Sequence, residues 1–306
     1  MKTYTRISLL MVALSAILMT SCSQLSDINP LNIAKKKDKL ADKLNTGTVV
    51  NYQSKMNLSY GDDFLQKYDL YTPVLDSIPE GTKSVSLVMV HGGGWSLLDK
   101  AFLNSVVEQF KNQKVNVSIF NINHRLAGQN GIVFKDIMED FSLFFDHHKS
   151  MRDSLNLSDD IILWGYSSGG HLALTYSYEY PSPDIKAVAA VVAPTDLTEE
   201  SIYNNIYDDK NRNLTELLIG APYTQNPQAY KEASPFYKVS RNSSSTILFY
   251  GGNDNLVSTA QGEKLYKALK DKKVGTEFQV IPNADHEMNG KMPLVVNETV
   301  RFLKTL

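Results

Sequence analysis

The sequence has few of the features that metal-binding or nucleic-acid-binding proteins rely on. Its 306 residues include a single cysteine, so the Cys and His spacing of a zinc site does not occur. Lys and Arg number 31 against 33 Asp and Glu, and the net charge of −2 offers no basic surface for nucleic acid. A hydrophobic content of 42% and a charged content of 21% are those of an ordinary globular protein.

The N-terminal apolar run is too short to cross a bilayer as a helix. It covers residues 7–19, follows Lys2 and Arg6, and precedes the small residues "TSCS". This pattern is typical of a secretory signal peptide, which we predict to comprise residues 1–21. A buried helix is the alternative, but nothing after residue 19 continues its pattern.

The region before Cys22 resembles the lipobox of a bacterial lipoprotein, with Met19 at a position that is usually aliphatic. The resemblance implies an exported cell-envelope protein, periplasmic or on the outer surface, which Cys22 anchors to the membrane by lipid. A simple cleaved signal with Cys22 merely nearby is the alternative. Residues 22–45 are polar and rich in lysine, and they predict a flexible tether before one domain at 46–306.

Short apolar runs alternate with helical patterns along the rest of the chain. We predict an antiparallel pair of strands at 48–60 and 64–72. Further strands are predicted at 84–90, 116–122, 161–165, 185–193, 246–251 and 276–281. Helices are predicted at 97–111, 133–150, 258–271 and 291–304, and another runs from the turn after the strand 161–165 to about Tyr178. This alternation indicates an α/β fold with a mostly parallel sheet covered by helices on both faces. Residues 197–244 interrupt it and predict a small cap after the sixth strand.

A serine lies at the sharpest predicted turn, between a strand and a helix. Gly165, Tyr166, Ser167, Ser168 and Gly169 form the pattern G-x-S-x-G. This strand-turn-helix context is that of a nucleophile elbow, in which the serine stands clear of the sheet and the helix N-terminus favours developing negative charge. The sequence therefore predicts Ser167 as a nucleophile.

A glycine loop, "HGGGW" at residues 91–95, follows the strand 84–90. Consecutive glycines can turn their N–H groups toward one point without obstruction, and acyl transfer needs such a point for its oxyanion. We predict the amides of Gly93, Gly94 and Ser168 as donors. A phosphate-binding loop needs a lysine and a Ser or Thr in fixed register, which this loop lacks.

These motifs resemble the α/β-hydrolase superfamily, and within it the HGGG-type esterases related to hormone-sensitive lipase and to bacterial carbohydrate esterases. The resemblance runs from about Tyr68 to Phe302 and rests on "YDLYTP", "HGGGW", "NHRLA", "GYSSGG", "APTDL", "GGNDNLV" and "NADHEM". The chain departs from the family pattern at three positions. The family usually has a tyrosine where His124 stands, a glycine near Leu98 and an aromatic residue near Met288.

The chain order of a hydrolase triad in this fold is serine, acid, histidine. His286 follows the last predicted strand and is the expected base. Asp254 follows the strand 246–251, the family position of the acid, and Asp196 is its rival. Asp285 is disfavoured because adjacent side chains in extended backbone diverge. Asp196 could alternatively contact the cap or the substrate.

The remaining histidines are predicted to have structural positions. We expect His91 to shape the glycine loop, His171 to pack on the elbow helix, and His147 and His148 to be surface residues. Substrate contacts are predicted for Trp95, Tyr166 and Asp196. The cap tyrosines could stack on sugar or aromatic rings of a substrate, although aromatic residues in a cap more often pack against other side chains. They are Tyr203, Tyr207, Tyr223, Tyr230 and Tyr237.

The motifs together predict a serine hydrolase that cleaves carboxylic esters and implies no metal or cofactor. The resemblance to acetylxylan and feruloyl esterases implies glycan or small-molecule esters as substrates, and no long apolar surface suggests a triglyceride lipase. Amide hydrolysis, as in formamidases or prolyl-oligopeptidase-type enzymes, is an alternative. A non-catalytic binding protein is a third, disfavoured because no triad residue or oxyanion glycine is missing.

Overall fold

A computed structural model describes residues 39–306 and contains one sheet of eight strands in the order β1-β2-β4-β3-β5-β6-β7-β8. The strands β1 to β8 are Val49–Ser59, Lys67–Leu75, Ser84–Val90, Val117–Ile122, Leu157–Tyr166, Ile185–Val191, Ser245–Gly251 and Thr276–Ile281. β2 pairs antiparallel with β1 and β4, whereas β3 to β8 are parallel to one another. The predicted α/β-hydrolase architecture is therefore present.

Nine helices lie in the described part of the chain. Helices α1 to α9 are Leu40–Leu44, Asn104–Asn112, Phe134–Met151, Ser168–Glu179, Glu200–Tyr203, Leu214–Ile219, Pro227–Glu232, Thr259–Asp271 and Met292–Leu303. α1, α2 and α9 cover one face of the sheet, and α3, α4 and α8 cover the other. The central strands β3 and β4 are buried along their whole length, as their continuous apolar runs require. No helix between residues 39 and 306 is both long and apolar enough to cross a membrane.

The ordered domain begins before the predicted end of the tether. Leu40 and Leu44 lie four residues apart, on the same side of α1, and both are buried against the sheet. Residues 40–44 therefore belong to the domain and not to the segment 22–45 that composition assigned to a tether. The predicted signal peptide 1–21 and the lipidated Cys22 lie outside the described residues.

Two predicted elements begin later than expected because aspartates form local turns. Residues 64–66 precede β2 in a turn in which the Leu65 amide donates to Asp63 Oδ1 at 2.8 Å. Asp99 accepts from the Ala101 amide at 2.7 Å and starts a 3-10 turn, Lys100–Leu103, that leads into α2. The predicted helix at 97–111 is correspondingly shorter, and its first residues form part of the loop beside the site.

The segment after β6 forms the predicted cap. It contains α5, α6, α7 and a 3-10 turn, Pro235–Lys238. Within it Tyr203 stacks on Tyr223 with ring centroids 4.1 Å apart, and Tyr230 packs edge-on against Tyr223 at 5.2 Å. Most cap tyrosines therefore pack against one another, and the cap lies over the carboxyl ends of the parallel strands, where loops converge in such sheets.

Candidate active site

Ser167 occupies a strained turn between β5 and α4. Its φ of 52° and ψ of −121° lie outside the regions that L-residues ordinarily adopt, as a nucleophile elbow requires. Flanking glycines make the turn possible, because a Cβ at Gly165 would overlap the carbonyl of Gly169, and one at Gly169 would overlap the carbonyls at the end of β3. The turn therefore lifts the serine clear of the sheet.

Ser167, His286 and Asp254 form a continuous hydrogen-bond chain. Ser167 Oγ lies 3.0 Å from His286 Nε2, and His286 Nδ1 lies 2.8 Å from Asp254 Oδ2. With Nδ1 donating its proton to the carboxylate, Nε2 is free to accept the proton of the serine hydroxyl. The structure thus brings together the predicted nucleophile, the predicted base and Asp254, the favoured one of the two candidate acids.

The carboxylate of Asp254 is held by backbone amides and is shielded from solvent. Its Oδ1 accepts hydrogen bonds from the amides of Leu256 and Val257, each at 2.8 Å, which leaves Oδ2 for His286. Asp196 makes different contacts: it pairs with Lys264, and its Oδ1 accepts from the Thr198 hydroxyl at 2.6 Å. Asp254, and not Asp196, is therefore the carboxylate beside the imidazole.

Tyr166 holds the backbone of the histidine loop. Its hydroxyl donates a hydrogen bond to the carbonyl of His286, and the two rings lie edge to face with centroids 6.1 Å apart. Burial raises the pKa of Tyr166, so the phenol remains a donor at all ordinary pH values. Tyr166 therefore fixes the position of the imidazole from outside the triad.

The glycine loop presents free amides beside Ser167. Gly93 and Gly94 have φ values of 111° and 56°, which glycine adopts without steric cost. In the described part of the chain the amides of Gly93, Gly94 and Ser168 donate to no protein acceptor. Three N–H groups at this point are the arrangement that stabilises an oxyanion.

A pair of buried imidazoles supports the glycine loop. His91 and His124 stack with ring centroids 4.7 Å apart, and His91 Nδ1 lies 2.7 Å from the carbonyl of Gly92. The carbonyl of Gly92 and the amide of Gly93 belong to one peptide and point in opposite directions, so fixing the carbonyl fixes the amide. Burial lowers the pKa of His91 to about 3, so the ring is neutral at pH 7. His91 thus shapes the loop as predicted.

A pocket of about 180 Å³ opens above Ser167. Residues of the glycine loop, the elbow, the cap and the histidine loop line it: Gly93, Gly94, Trp95, Leu98, Phe102, Tyr166, Ser167, Ser168, Pro194, Ile206, Tyr207, Leu214, Leu256, Val257, His286 and Glu287. Most of the wall is apolar, and the cap contributes Ile206, Tyr207 and Leu214. Sequence reasoning did not identify Phe102 or Leu214 as part of the site, and it singled out Leu98 only as a departure from the family pattern.

The three residues predicted to bind substrate differ in their positions. Tyr166 and Trp95 line the pocket, but Trp95 is only 1% exposed, and its indole N–H donates to His171 Nδ1 at 3.0 Å. Asp196 is buried beneath the cap and is absent from the pocket wall, because its carboxylate pairs with Lys264. Asp196 therefore supports the cap rather than the substrate site.

Two of the other histidines are buried. His171 packs on the elbow helix as predicted and lies 2.8 Å from the carbonyl of Ala233 through Nε2. The prediction of a surface position for His148 is wrong: it is buried under the sheet, 2.8 Å from Ser86 Oγ, and burial lowers its pKa to about 4. Its neighbour His147 lies partly exposed. Among residues 39–306 no group of three or more potential metal ligands converges.

Comparison with known proteins agrees with this geometry. The BD-FAE family profile matches residues 69–269, about two thirds of the chain. The chain belongs to the BD-FAE family. The matched range of this BD-FAE protein contains Ser167 and Asp254 and ends before His286. The α/β-hydrolase resemblance inferred from the motifs is thereby confirmed.

A relative of this BD-FAE chain and several solved structures similar to it carry esterase names. Esterase LipQ of Mycobacterium tuberculosis is 28% identical over 138 residues, 42% of this chain but only 32% of that relative. A truncated carbohydrate esterase from gut microbiota superposes with a TM-score of 0.71 at 18% identity, covering 85% of this chain and 97% of its own. A bifunctional GH43-CE protein of Bacteroides eggerthii superposes with a TM-score of 0.68 at 20% identity, and the match covers 81% of this chain and 38% of that protein. These two structures share its fold.

Proposed function

We propose that the protein is a serine hydrolase that cleaves carboxylic esters through an acyl-enzyme. The observation that supports this most strongly is the chain from Ser167 to His286 to Asp254, with 3.0 Å and 2.8 Å between the bonded atoms. It lies beneath a pocket lined by three amides that have no protein acceptor. Nucleophile, base, orienting carboxylate and oxyanion donors together make up the machinery of acyl transfer.

Acylation begins when Ser167 Oγ attacks the ester carbonyl carbon and its proton passes to His286 Nε2. The carbonyl oxygen becomes an oxyanion, which accepts hydrogen bonds from the amides of Gly93, Gly94 and Ser168. The carbonyl then re-forms as the bond to the alcohol oxygen breaks, and His286 gives its proton to that oxygen. Asp254 stabilises the imidazolium while it exists.

Deacylation repeats these steps with water as the nucleophile. His286 accepts a proton from water, the resulting hydroxide attacks the acyl carbon, and the oxyanion returns to the same amides. When the ester bond to Ser167 Oγ breaks, His286 returns the proton to the serine. The products are a carboxylic acid and an alcohol, and the enzyme is regenerated.

Small acyl groups on carbohydrates or other small alcohols are the proposed substrates, with acetyl and feruloyl esters first. A pocket of about 180 Å³ accommodates a group near the size of a benzene ring. Neighbours of the same fold include proteins named as carbohydrate esterases, which favours deacylation of glycans over hydrolysis of long-chain lipids.

Hydrolysis of 4-nitrophenyl esters from acetate to octanoate tests the proposal. We expect the acetate to be cleaved fastest and Ser167→Ala to lose at least about 10³-fold in kcat/KM. Ser154→Ala, an exposed serine beyond α3, is the matched control and should leave the rate unchanged. Cleavage of 4-nitroacetanilide in preference to every ester would make the protein an amidase. If neither substrate reacts and a fluorophosphonate fails to label the protein, the hydrolase proposal is wrong.

We further propose that the protein is a lipid-anchored cell-envelope protein modified at Cys22. The signal-like residues 1–21 and the lipobox-like sequence before Cys22 support this. Expression in a bacterial host with labelled fatty acid should give a labelled, membrane-associated protein. Cys22→Ser should remove both label and membrane association, and a wild-type protein without label would contradict the proposal.

A further inference from the structure

Leu98 adopts a backbone conformation that disfavours a leucine, at the mouth of the pocket. Its φ is 66°, in the left-handed region that glycine occupies without steric cost and that a side chain with a Cβ occupies only with strain. Trp95 and Ser167 are the other residues of the pocket wall with positive φ and a side chain. Strained residues cluster at functional sites, so the strain at Leu98 indicates that its side chain has a function in the pocket.

The side chain of Leu98 contributes little to the protein core. It is 51% exposed, and Phe102, one turn further along, is 38% exposed. Both line the pocket, and Leu98 Cγ lies against the glycine loop, 3.0 Å from where a Cβ on Gly93 would stand. Two partly exposed apolar side chains therefore lie in the pocket wall, and that of Leu98 borders the glycine loop.

The aromatic contacts place Phe102 on the leaving-group side, and Leu98 belongs to the same pocket wall. His286 gives its proton to the departing oxygen, so the alcohol part of an ester lies next to His286. The Tyr166 ring packs against His286 at 6.1 Å, and Phe102 packs against Tyr166 at 5.2 Å. On the cap side, Leu214 Cδ1 occupies the space that a Cβ on Gly94 would need.

We propose that Leu98 and Phe102 form a shelf that binds an apolar face of the ester's alcohol moiety, either the face of a sugar ring or an aromatic ring, and that Leu98 is the specificity-determining residue. A planar or apolar face laid on the shelf displaces water from both side chains, whereas a short alcohol reaches neither. This inference rests on the proposed ester hydrolysis and adds to it the chemistry of the leaving group. The strained backbone at Leu98 holds a large apolar side chain at the entrance of the pocket. A glycine at this position would avoid the strain but would leave the entrance without that side chain.

Benzyl acetate and ethyl acetate test the shelf, because they share an acyl group and differ in the alcohol. Their hydrolysis is followed by pH-stat titration with wild type, Leu98→Asn and Leu97→Asn. Asparagine tolerates the left-handed conformation, so the loop keeps its path. We expect L98N to lower kcat/KM for benzyl acetate about fivefold, mainly through KM, and to change ethyl acetate less than twofold. Leu97, 37% exposed and outside the pocket wall, is the matched control and should leave both rates unchanged.

Each other outcome overturns the inference in a recognisable way. An unchanged benzyl-to-ethyl ratio in an active L98N removes the shelf and leaves ester hydrolysis standing. Equal losses in L97N and L98N indicate a general effect of the loop and also remove it. If wild type cleaves neither benzyl acetate nor ethyl acetate nor any 4-nitrophenyl ester, the proposed function fails as well, which separates the two failures.

Thermal unfolding provides a second readout that is independent of activity. Leu98→Gly relieves the left-handed strain and offsets the entropy that glycine adds to the unfolded chain, so its unfolding midpoint should stay within about 2 °C of wild type. Leu97→Gly gains no such relief and should unfold at a lower temperature than L98G. A lower midpoint for L98G than for L97G would make Leu98 a structural residue and overturn the assignment.

Discussion

Replacement of Asp254 by asparagine tests the hydrogen-bond chain at its innermost residue. The Oδ1 atom of Asp254 accepts from the amides of Leu256 and Val257, and the amide oxygen of asparagine is the only atom of that side chain able to accept both. The NH2 group must therefore face His286 Nδ1, which then accepts instead of donating. The proton moves to Nε2, the atom that faces Ser167 at 3.0 Å.

An imidazole in this tautomer cannot take the proton of Ser167. We expect D254N to lower kcat about 10⁴-fold, which corresponds to about 5 kcal/mol in the activation barrier. The two amide contacts to the side chain persist, so the unfolding midpoint should shift by only about 2 °C. The assay is the initial rate on 4-nitrophenyl acetate at pH 7.5, with thermal unfolding followed by circular dichroism on the same preparations.

Asp196→Asn is the matched control, since it changes the other buried aspartate at the end of a strand. It weakens the ion pair with Lys264 and should lower the unfolding midpoint, yet it should leave kcat within about threefold because Asp196 is outside the pocket wall. The reasoning is refuted if D254N keeps a tenth or more of wild-type kcat, or if D196N shows the larger loss of activity.

Further predictions concern the oxyanion loop, the histidine loop and a buried imidazole. Gly94→Ala places a Cβ in left-handed backbone against Leu214, and should lower kcat on 4-nitrophenyl acetate by about 10²-fold or more with little change in KM. Tyr166→Phe removes the hydrogen bond to the His286 carbonyl, and should lower kcat on the same substrate about fivefold. Burial lowers the pKa of His148 to about 4, so this residue binds more protons in the unfolded chain between pH 6.5 and 4. Its contribution to the free energy of unfolding should therefore fall with falling pH in that window by up to about 1.4 kcal/mol per pH unit, and the buried His91 and His171 add to the slope. Urea denaturation at pH 7, 5.5 and 4.5 checks this, and His148→Gln should give a flatter dependence.

The sheet and most of the candidate site could be predicted because both depend on local patterns and on chain order. Buried parallel strands require continuous apolar runs, such as "SVSLVMV" in β3. The segments that connect such strands form helices that cover the faces of the sheet. The order serine, acid, histidine left Asp254 and Asp196 as candidate acids, and the position of Asp254 after β7 favoured it. The structure was needed to show which carboxylate contacts the imidazole.

The errors have identifiable causes. Average composition described residues 22–45 as polar and overlooked Leu40 and Leu44, whose four-residue spacing places both on one side of α1. His148 shares a helical face with Phe141 and Phe144, at spacings of seven and four residues, and this pattern was present in the sequence.

The pocket wall could not be predicted in the same way. The sign of φ at Leu98 is not encoded by residue type, since leucine rarely adopts it. The contact of Leu214 with Gly94 joins segments that lie far apart in the sequence. The shape of the pocket therefore depends on tertiary contacts that periodicity does not describe, whereas the candidate catalytic residues lie in short motifs.

The cap that forms one wall of the pocket consists of helices of four, six and six residues. Helices of this length have no stability of their own in water, so the cap persists through its side-chain contacts. The stack of Tyr203 on Tyr223 and the hydrogen bond from Asn213 to the Tyr203 carbonyl are among them. Such a segment opens as a cooperative unit at a lower free energy than the sheet, and its amides should exchange with deuterium first. We expect the stability of the cap to limit the size of the molecules that can enter the pocket, while Ser167 remains on the turn between β5 and α4.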